Sequence, residues 1–205
     1  MDERDIHKNR TVTHIRFLIM ASLDVPTMSI PASDDIMKGR SEATRRIPQH
    51  ILTNDVGVRW NMNEIIEHLF VGGIQSSETK WNEFDIIVNC TKTIPSDHIR
   101  GNAVECIRIP INDDPDECHR MLKYMEDTSV LERIHWAISH KKNVLVHCRM
   151  GSQRSCALIA CYLIKYYHMT VSDAMDRVRS RRPMAFFGGA NFMQAIQDFH
   201  RKRTQ

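Results

Sequence analysis

The sequence predicts an α/β fold: a single domain with a central, mostly parallel sheet and helices on both faces. Two observations carry this expectation. Four short runs are rich in apolar residues, read as strands buried on both faces, and stretches of helical periodicity lie between them. Hydrophobic residues make up 42% and charged residues 26% of a 205-residue chain. That suffices for one compact domain plus an extension and is too little for two large domains.

Residues 1–50 mix charges, Ser, Thr and three prolines, Pro26, Pro31 and Pro48, without a sustained period. They are expected to form an N-terminal extension, partly disordered. Within it, Thr13 to Leu23 is a candidate for packing on the domain or on a second copy, giving a homodimer. Lys38, Arg40, Arg45 and Arg46 are candidates for docking an acidic partner. The folded domain is placed at 51–205.

Leu69-Phe70-Val71-Gly72-Gly73 reads as the first strand, stopped by glycines, and Phe84 to Cys90 as the second. Val104 to Ile109 is the third, ending at Pro110, and Asn143 to His147 the fourth. Between the last two, Met121, Leu122, Met125, Leu131, Ile134 and Ile138 fall mostly at helical spacing, with Asp127-Thr128-Ser129 as a candidate break. Ile159, Ala160, Leu163, Ile164 and Tyr167 mark one face of a further helix. Thr170 and Asp173 form a capping pair for the next, which Arg181-Arg182-Pro183 stops. Asn191 is placed as the cap of a last helix, whose Phe192, Ala195, Ile196 and Phe199 make an apolar stripe.

Charge and cysteine usage narrow the function classes. A net charge of +3 is too weak to imply nucleic acid. The six cysteines show no C-x-x-C spacing and no secretory signal precedes them, so they are expected to be reduced and the protein cytoplasmic, with the nucleus as the alternative. The apolar run from Phe17 to Ala21 is far short of the ~20 residues a membrane span needs. No membrane partner is expected.

The stretch Val144-Leu145-Val146-His147-Cys148-Arg149-Met150-Gly151-Ser152-Gln153-Arg154-Ser155 carries the chemistry. It reads as strand, loop and helix start. Such a loop can aim several backbone N–H groups at one point, where the helix start adds partial positive charge, so it suits a doubly charged phosphate. From 11 His and 6 Cys in 205 residues, His-Cys pairs alone are expected roughly 0.3 times by chance. Adding Gly three residues on, Arg six on and Ser or Thr next lowers this to on the order of 10⁻⁴.

His147-Cys148-x5-Arg154-Ser155 resembles the signature of the cysteine-dependent protein phosphatases, specifically the dual-specificity branch. The resemblance covers roughly residues 65 to 200 and implies the same α/β architecture, with 51–205 as the catalytic domain. It implies hydrolysis of phosphotyrosine and of phosphoserine or phosphothreonine in proteins through a cysteinyl-phosphate intermediate. Cys148 would be the nucleophile. A free thiol has a pKa of ~8.5, which a helix N-terminus and nearby cations lower to ~3.5–7.5. Arg154 would hold two phosphoryl oxygens in its planar fork. Backbone N–H groups of Arg149, Met150, Gly151, Ser152, Gln153 and Arg154 would complete the phosphate cradle, Gly151 leaving room for the tight turn. Ser155, a candidate helix N-cap, would by resemblance also hydrogen-bond the thiolate. His147 would have a supporting role, orienting the loop through hydrogen bonds.

The general acid is sought in Ile109-Pro110-Ile111-Asn112-Asp113-Asp114, which matches the family's segment at that place. Asp113 is the leading candidate, Asp114 the alternative and Asp116 a weaker one. No metal or other cofactor is expected: His119, His135, His140 and His168 lack ligand-like spacing with the cysteines. Cys90 is read as an inert buried thiol, with capture of an oxidised nucleophile as the alternative. Lys8-Asn9-Arg10 is similar to the tyrosine-recognition loop of classical tyrosine-specific phosphatases, but Thr11 stands where the tyrosine belongs, and it is treated as a decoy. Phe186-Phe187 departs from the family's Pro-Asn pair and is read as core or, alternatively, as pocket rim. Arg149 would suit acidic or doubly phosphorylated substrates. The competing functions are an RNA 5′-phosphatase, a phosphoinositide phosphatase and, from a different class, a non-catalytic phosphoprotein-binding scaffold.

Overall fold

A computed structural model of the chain describes residues 62–99 and 103–204. The proposed extension at 1–50, the start of the domain at 51 and the Lys8-Asn9-Arg10 decoy lie outside them. Five strands form one sheet in the order β1-β2-β5-β3-β4: β1 (Asn63–Ile66), β2 (Leu69–Gly72), β3 (Ile86–Asn89), β4 (Glu105–Arg108) and β5 (Val144–His147). β1 runs antiparallel to β2, and every other pairing is parallel. This is the α/β, mostly parallel architecture that the sequence predicts.

Strand residues alternate between two apolar layers, as a period of two requires. Leu69, Val71, Ile86, Val88, Val144 and Val146 face the larger core. Against it pack α2 (Cys118–Asp127), α3 (Val130–Ser139), α4 (Arg154–Tyr167), α5 (Val171–Arg181) and α6 (Met193–Thr204). Phe70, Ile87 and Leu145 face the other side, where they meet Met62 and Phe84, with Trp81 of a short 3-10 turn alongside. Both faces are covered, but unevenly. At roughly 1.5–3 kcal/mol for each fully buried large apolar side chain, most of the burial energy resides on the helical side.

The break in the helical pattern falls where Asp127-Thr128-Ser129 predicts it: α2 ends at Asp127, and Ser129 turns left-handed at φ 49° before α3. Thr170 caps α5 by accepting from the Asp173 N–H at 3.2 Å, and its hydroxyl donates to the Asp173 carboxylate at 2.7 Å. Two elements are new. β1 hides in a charged segment because it is an edge strand with only Ile65 fully buried. The helix α1 (Ile74–Lys80) buries Ser76 and Ser77 and so carries no apolar stripe.

Three local expectations need correction. Every residue of α4 from Arg154 to Ile164 is buried, so its apolar residues mark no single face. Ser155 is not an N-cap: Gln153 holds that position, and Ser155 lies in the first turn of α4. Asn191 does not cap the last helix either, since α6 begins at Met193 and the Asn191 side chain is engaged elsewhere.

The parallel strands end together. Gly72 and Asn89 flank His147 in register, so the loop after β5 opens at the carboxyl edge of the sheet, the crevice in which α/β proteins bind ligands.

Candidate active site

The loop Cys148 to Gln153 joins β5 to the N-terminus of α4. Its carbonyls from Arg149 to Ser152 are directed outward. Arg149 O accepts from Ile74 N at 3.2 Å, Met150 O from Arg182 Nη2 at 2.9 Å, Gly151 O from Arg182 Nε, and Ser152 O from Phe186 N at 2.8 Å. Because a peptide's N–H and C=O point oppositely, this turns the N–H groups toward the inside of the loop. Gly151 makes the turn possible. It sits at φ +65°, and a Cβ there would stand 2.5 Å from the Gly72 carbonyl and 2.7 Å from Arg182 Nη2.

Cys148 lies at the base, fully buried. Its sulfur accepts from Gly151 N at 3.2 Å and from Ser155 Oγ at 3.3 Å. Burial alone would push this thiol up. The Arg154 guanidinium, the Ser155 hydroxyl and the N–H groups of Ser155 and Ser152 outweigh it, and the net direction is down. Two equally buried neighbours behave oppositely. Burial, with the charge of Cys148 adding to it, raises Cys90 well above its ordinary value and raises Cys156 strongly too.

Arg154 reaches across the loop mouth. Nη1 donates to Ile111 O and Nη2 to Asp113 Oδ2, both at 3.3 Å, while Nε is buried with no partner among the described residues. A cation at a helix N-terminus is unfavourable unless an anion is close. Asp113 is such an anion here, and the bare Nε marks a donor free for another.

Asp113 and Asp114 make different contacts. Asp113 Oδ1 accepts from Asn191 Nδ2 at 3.0 Å and Oδ2 from Arg154, with its side chain 33% exposed at the loop mouth. Asp114 turns away and caps the 3-10 turn Pro115–Glu117, accepting from Asp116 N at 2.9 Å. Asp116 is exposed within that turn.

His147 is buried, and neither of its ring nitrogens has a hydrogen-bond partner among the described residues. Among the described residues the hydrogen bonds expected of its side chain are not seen. Its place is fixed by the backbone, where its carbonyl accepts from Cys90 N at 2.8 Å, and by packing. Burial pushes its pKa down to about 4, with His98, Arg108 and Arg154 adding positive charge nearby. An unfolded histidine near 6.5 binds protons that the folded one rejects, so stability is full above pH 6.5 and is lost as pH falls toward 4. The loss from this group amounts to about 3 kcal/mol. Urea titrations at several pH values should show a shallower acid slope in His147→Gln than in the wild type; equal slopes would contradict a neutral, buried His147.

Phe186 and Phe187 divide. Phe186 is buried at φ 59°, whereas Phe187 is 82% exposed. Gln153 Nε2 donates to Phe187 O at 3.0 Å and to Gly189 O at 2.7 Å, and Gln153 Oε1 accepts from Asn191 N at 3.1 Å. These bonds hold the 187–191 segment beside the loop. Met150 and Arg149 are exposed on the loop itself. The side-chain functions of Gln153, Asn191 and Arg182 were not legible from motif spacing. Arg182 in particular looks like one of several surface arginines closing a helix. Its only sequence signal is the following Pro183, which disfavours helical backbone; Arg182 is extended at φ −128°, ψ 92° and its side chain turns inward.

A loop of inward N–H groups with a thiol of lowered pKa beneath it and a guanidinium and carboxylate above it is suited to phosphoryl transfer to sulfur. Residues 69–202 match the family described as dual specificity phosphatase, catalytic domain. Dual specificity protein phosphatase 14 of Mus musculus is 28% identical over 154 residues, spanning 72% of this chain and 73% of that protein. Dual specificity protein phosphatase 1B of Arabidopsis thaliana is 28% identical over 149 residues, spanning 69% and 83%. The crystal structure of human DUSP28 shares the fold with a TM-score of 0.62 at 22% identity, over 70% of this chain and 95% of that one. The molecule is a protein phosphatase. The chain belongs to the dual specificity phosphatase family.

Proposed function

We propose that the protein hydrolyses phosphotyrosine and phosphoserine or phosphothreonine in phosphorylated proteins, with Cys148 as nucleophile, Arg154 as phosphoryl clamp and Asp113 as general acid and then base. The Cys148 thiolate attacks phosphorus as the bond to the ester oxygen breaks. The electron pair of that bond stays with the oxygen, which takes the proton of Asp113. Water then attacks the cysteinyl-phosphate and gives its proton to the Asp113 carboxylate. The sulfur–phosphorus bond breaks, and its electron pair returns to Sγ beside the Ser155 hydroxyl.

The observation that carries this reading is the convergence of Arg154 and Asp113 above the one thiol of the cluster whose pKa is lowered. Asp113 is preferred to Asp114 because the Asp114 carboxylate is engaged in capping. The exposed Arg149, Met150 and Phe187 give the mouth a mixed basic and apolar rim, suited to a peptide carrying acidic or phosphorylated neighbours.

The test compares kcat/KM for a diphosphorylated peptide, a 5′-triphosphate RNA and an inositol phosphate. The peptide is expected to lead by about tenfold or more; a lead for either rival overturns the substrate assignment, and binding without turnover makes the protein a scaffold. In the same assay Asp113→Asn should lower kcat by ~10²–10⁴ on alkyl phosphates and much less on para-nitrophenyl phosphate, whose leaving oxygen needs little protonation. Asp114→Asn should leave kcat within about threefold. The reverse ranking would move the acid to Asp114.

A further inference from the structure

Arg182 is the most deeply buried arginine among the described residues, 2% exposed, and it lies behind the phosphate loop rather than in its mouth. Nε donates to Gly151 O and Nη2 to Met150 O at 2.9 Å, while Nη1 donates to Asn63 Oδ1 of β1 at 2.7 Å. Of the four outward carbonyls from Arg149 to Ser152, Arg182 therefore bridges the two at the apex, with the Cys156 thiol adding a weaker donor to Gly151 O at 3.4 Å. The other two are held by backbone N–H groups of Ile74 and Phe186.

A buried cation is costly unless its donors are used, and here each nitrogen of the fork has a partner. The rigid fork matters: its Nε and Nη2 meet successive carbonyls, and a lysine can follow neither the spacing nor the plane. Without these donors the part-buried Met150 carbonyl would lose its bond and the Gly151 carbonyl would keep only the weak Cys156 thiol at 3.4 Å, and rotating the peptides inward would relieve them. That rotation would aim oxygen, not N–H, at the phosphate. The guanidinium also shares an electrostatic interaction with the Cys148 sulfur.

We propose that Arg182 is a positioning residue for the phosphoryl-transfer reaction: it locks the loop's apex with N–H groups inward and ties that geometry to Asn63 on the edge strand β1. This rests on the reading of Cys148 as the nucleophile inside the loop. The role reaches the chemistry through the loop and not by contact with substrate. It also explains the tight space at Gly151, whose absent side chain leaves room for Arg182 Nη2.

The experiment compares wild type, Arg182→Lys, Arg182→Gln and Asn63→Ala by kcat, KM, inhibition by inorganic phosphate and the acid limb of the kcat/KM pH profile. A wild type that lacks turnover would defeat the proposed function itself, before Arg182 is tested. With an active wild type, both Arg182 variants are expected to lose on the order of 10² in kcat, as displaced catalytic geometry does. They should bind phosphate more weakly, and their acid limb should move to higher pH. Asn63→Ala, which removes only the outer anchor, should lose about tenfold with the limb moved the same way. A role in stability alone would lower the urea midpoint and leave kcat and the pH profile of the folded enzyme unchanged, and that result overturns the proposal. If neither Arg182 variant folds, Asn63→Ala decides: wild-type kcat and pH profile in that variant overturn it as well.

Discussion

Cys148→Ser is expected to abolish turnover, with a loss of roughly 10⁴-fold or more on every phosphate ester, while phosphate binding and folding persist. The loop's inward N–H groups and the Arg154 fork do not depend on sulfur, so the cradle should still take an anion. What disappears is an anionic nucleophile. The surroundings that ionise a buried thiol, a guanidinium, one hydroxyl and a few N–H groups, cannot ionise an alcohol whose intrinsic acidity is many orders lower. The neighbouring thiols give the internal control. Cys90 and Cys156 are as buried as Cys148, and burial together with the Cys148 charge drives them up, because Arg154 at Cys90 and Arg182 and the Ser155 hydroxyl at Cys156 do not outweigh it, and neither receives the Ser152 and Ser155 N–H groups. Rapid acid quench followed by peptide mass spectrometry should find the phosphoryl adduct on the Cys148 peptide of the wild type alone. Steady turnover by the serine variant within about tenfold of wild type would remove Cys148 from the nucleophile's position.

Much of this site is written locally and much is not. Cys148, Gly151, Arg154 and Ser155 lie within eight residues of one another, so a strand, a loop and a helix start fix their relative positions, and spacing alone identifies them. The inner strands are legible for a related reason. The inner parallel strands β2, β3 and β5 are buried on both faces and largely apolar, whereas the edge strands β1 and β4 mix charged and apolar residues because one side of each borders solvent. Contacts closed over long sequence separations leave no such trace. Asn191 reaches Asp113 across 78 residues, Arg182 reaches Asn63 across 119, and Asp114 shows its capping role only once the following turn is formed. Asn191 illustrates the trap. Its residue type is right for a helix cap and its position is nearly right, yet a carboxylate across the cleft engages its amide instead. Phe186-Phe187 illustrates another: a left-handed backbone at Phe186 sends one ring inward and leaves the next exposed, which no periodicity anticipates.

Arg154→Lys is the sharper test of how the site works, because it keeps the charge and removes the geometry. An arginine that stabilises a transferring phosphoryl group is worth ~10³–10⁵ in rate, and lysine should forfeit most of that. The structural reason is specific. Arg154 presents Nη1 and Nη2 toward Ile111 O and Asp113, and its buried Nε has no partner among the described residues. A phosphoryl group entering the loop can engage the fork in two places and release Asp113, as the protonated carboxylic acid, toward the leaving oxygen. A lysine ammonium offers one point of charge and nothing at the Nε position. Its charge still opposes protonation of Cys148, so the acid limb of the kcat/KM profile should shift little while kcat collapses. That split separates two functions of one residue, since lowering the thiol's pKa and bracing the transition state would otherwise fail together. Arg154→Met removes both and should move the limb to higher pH as well. If Lys and Met variants show the same limb and the same kcat, charge and fork contribute nothing separable, and Arg154 is a structural link to Ile111 and Asp113 rather than a clamp on phosphate.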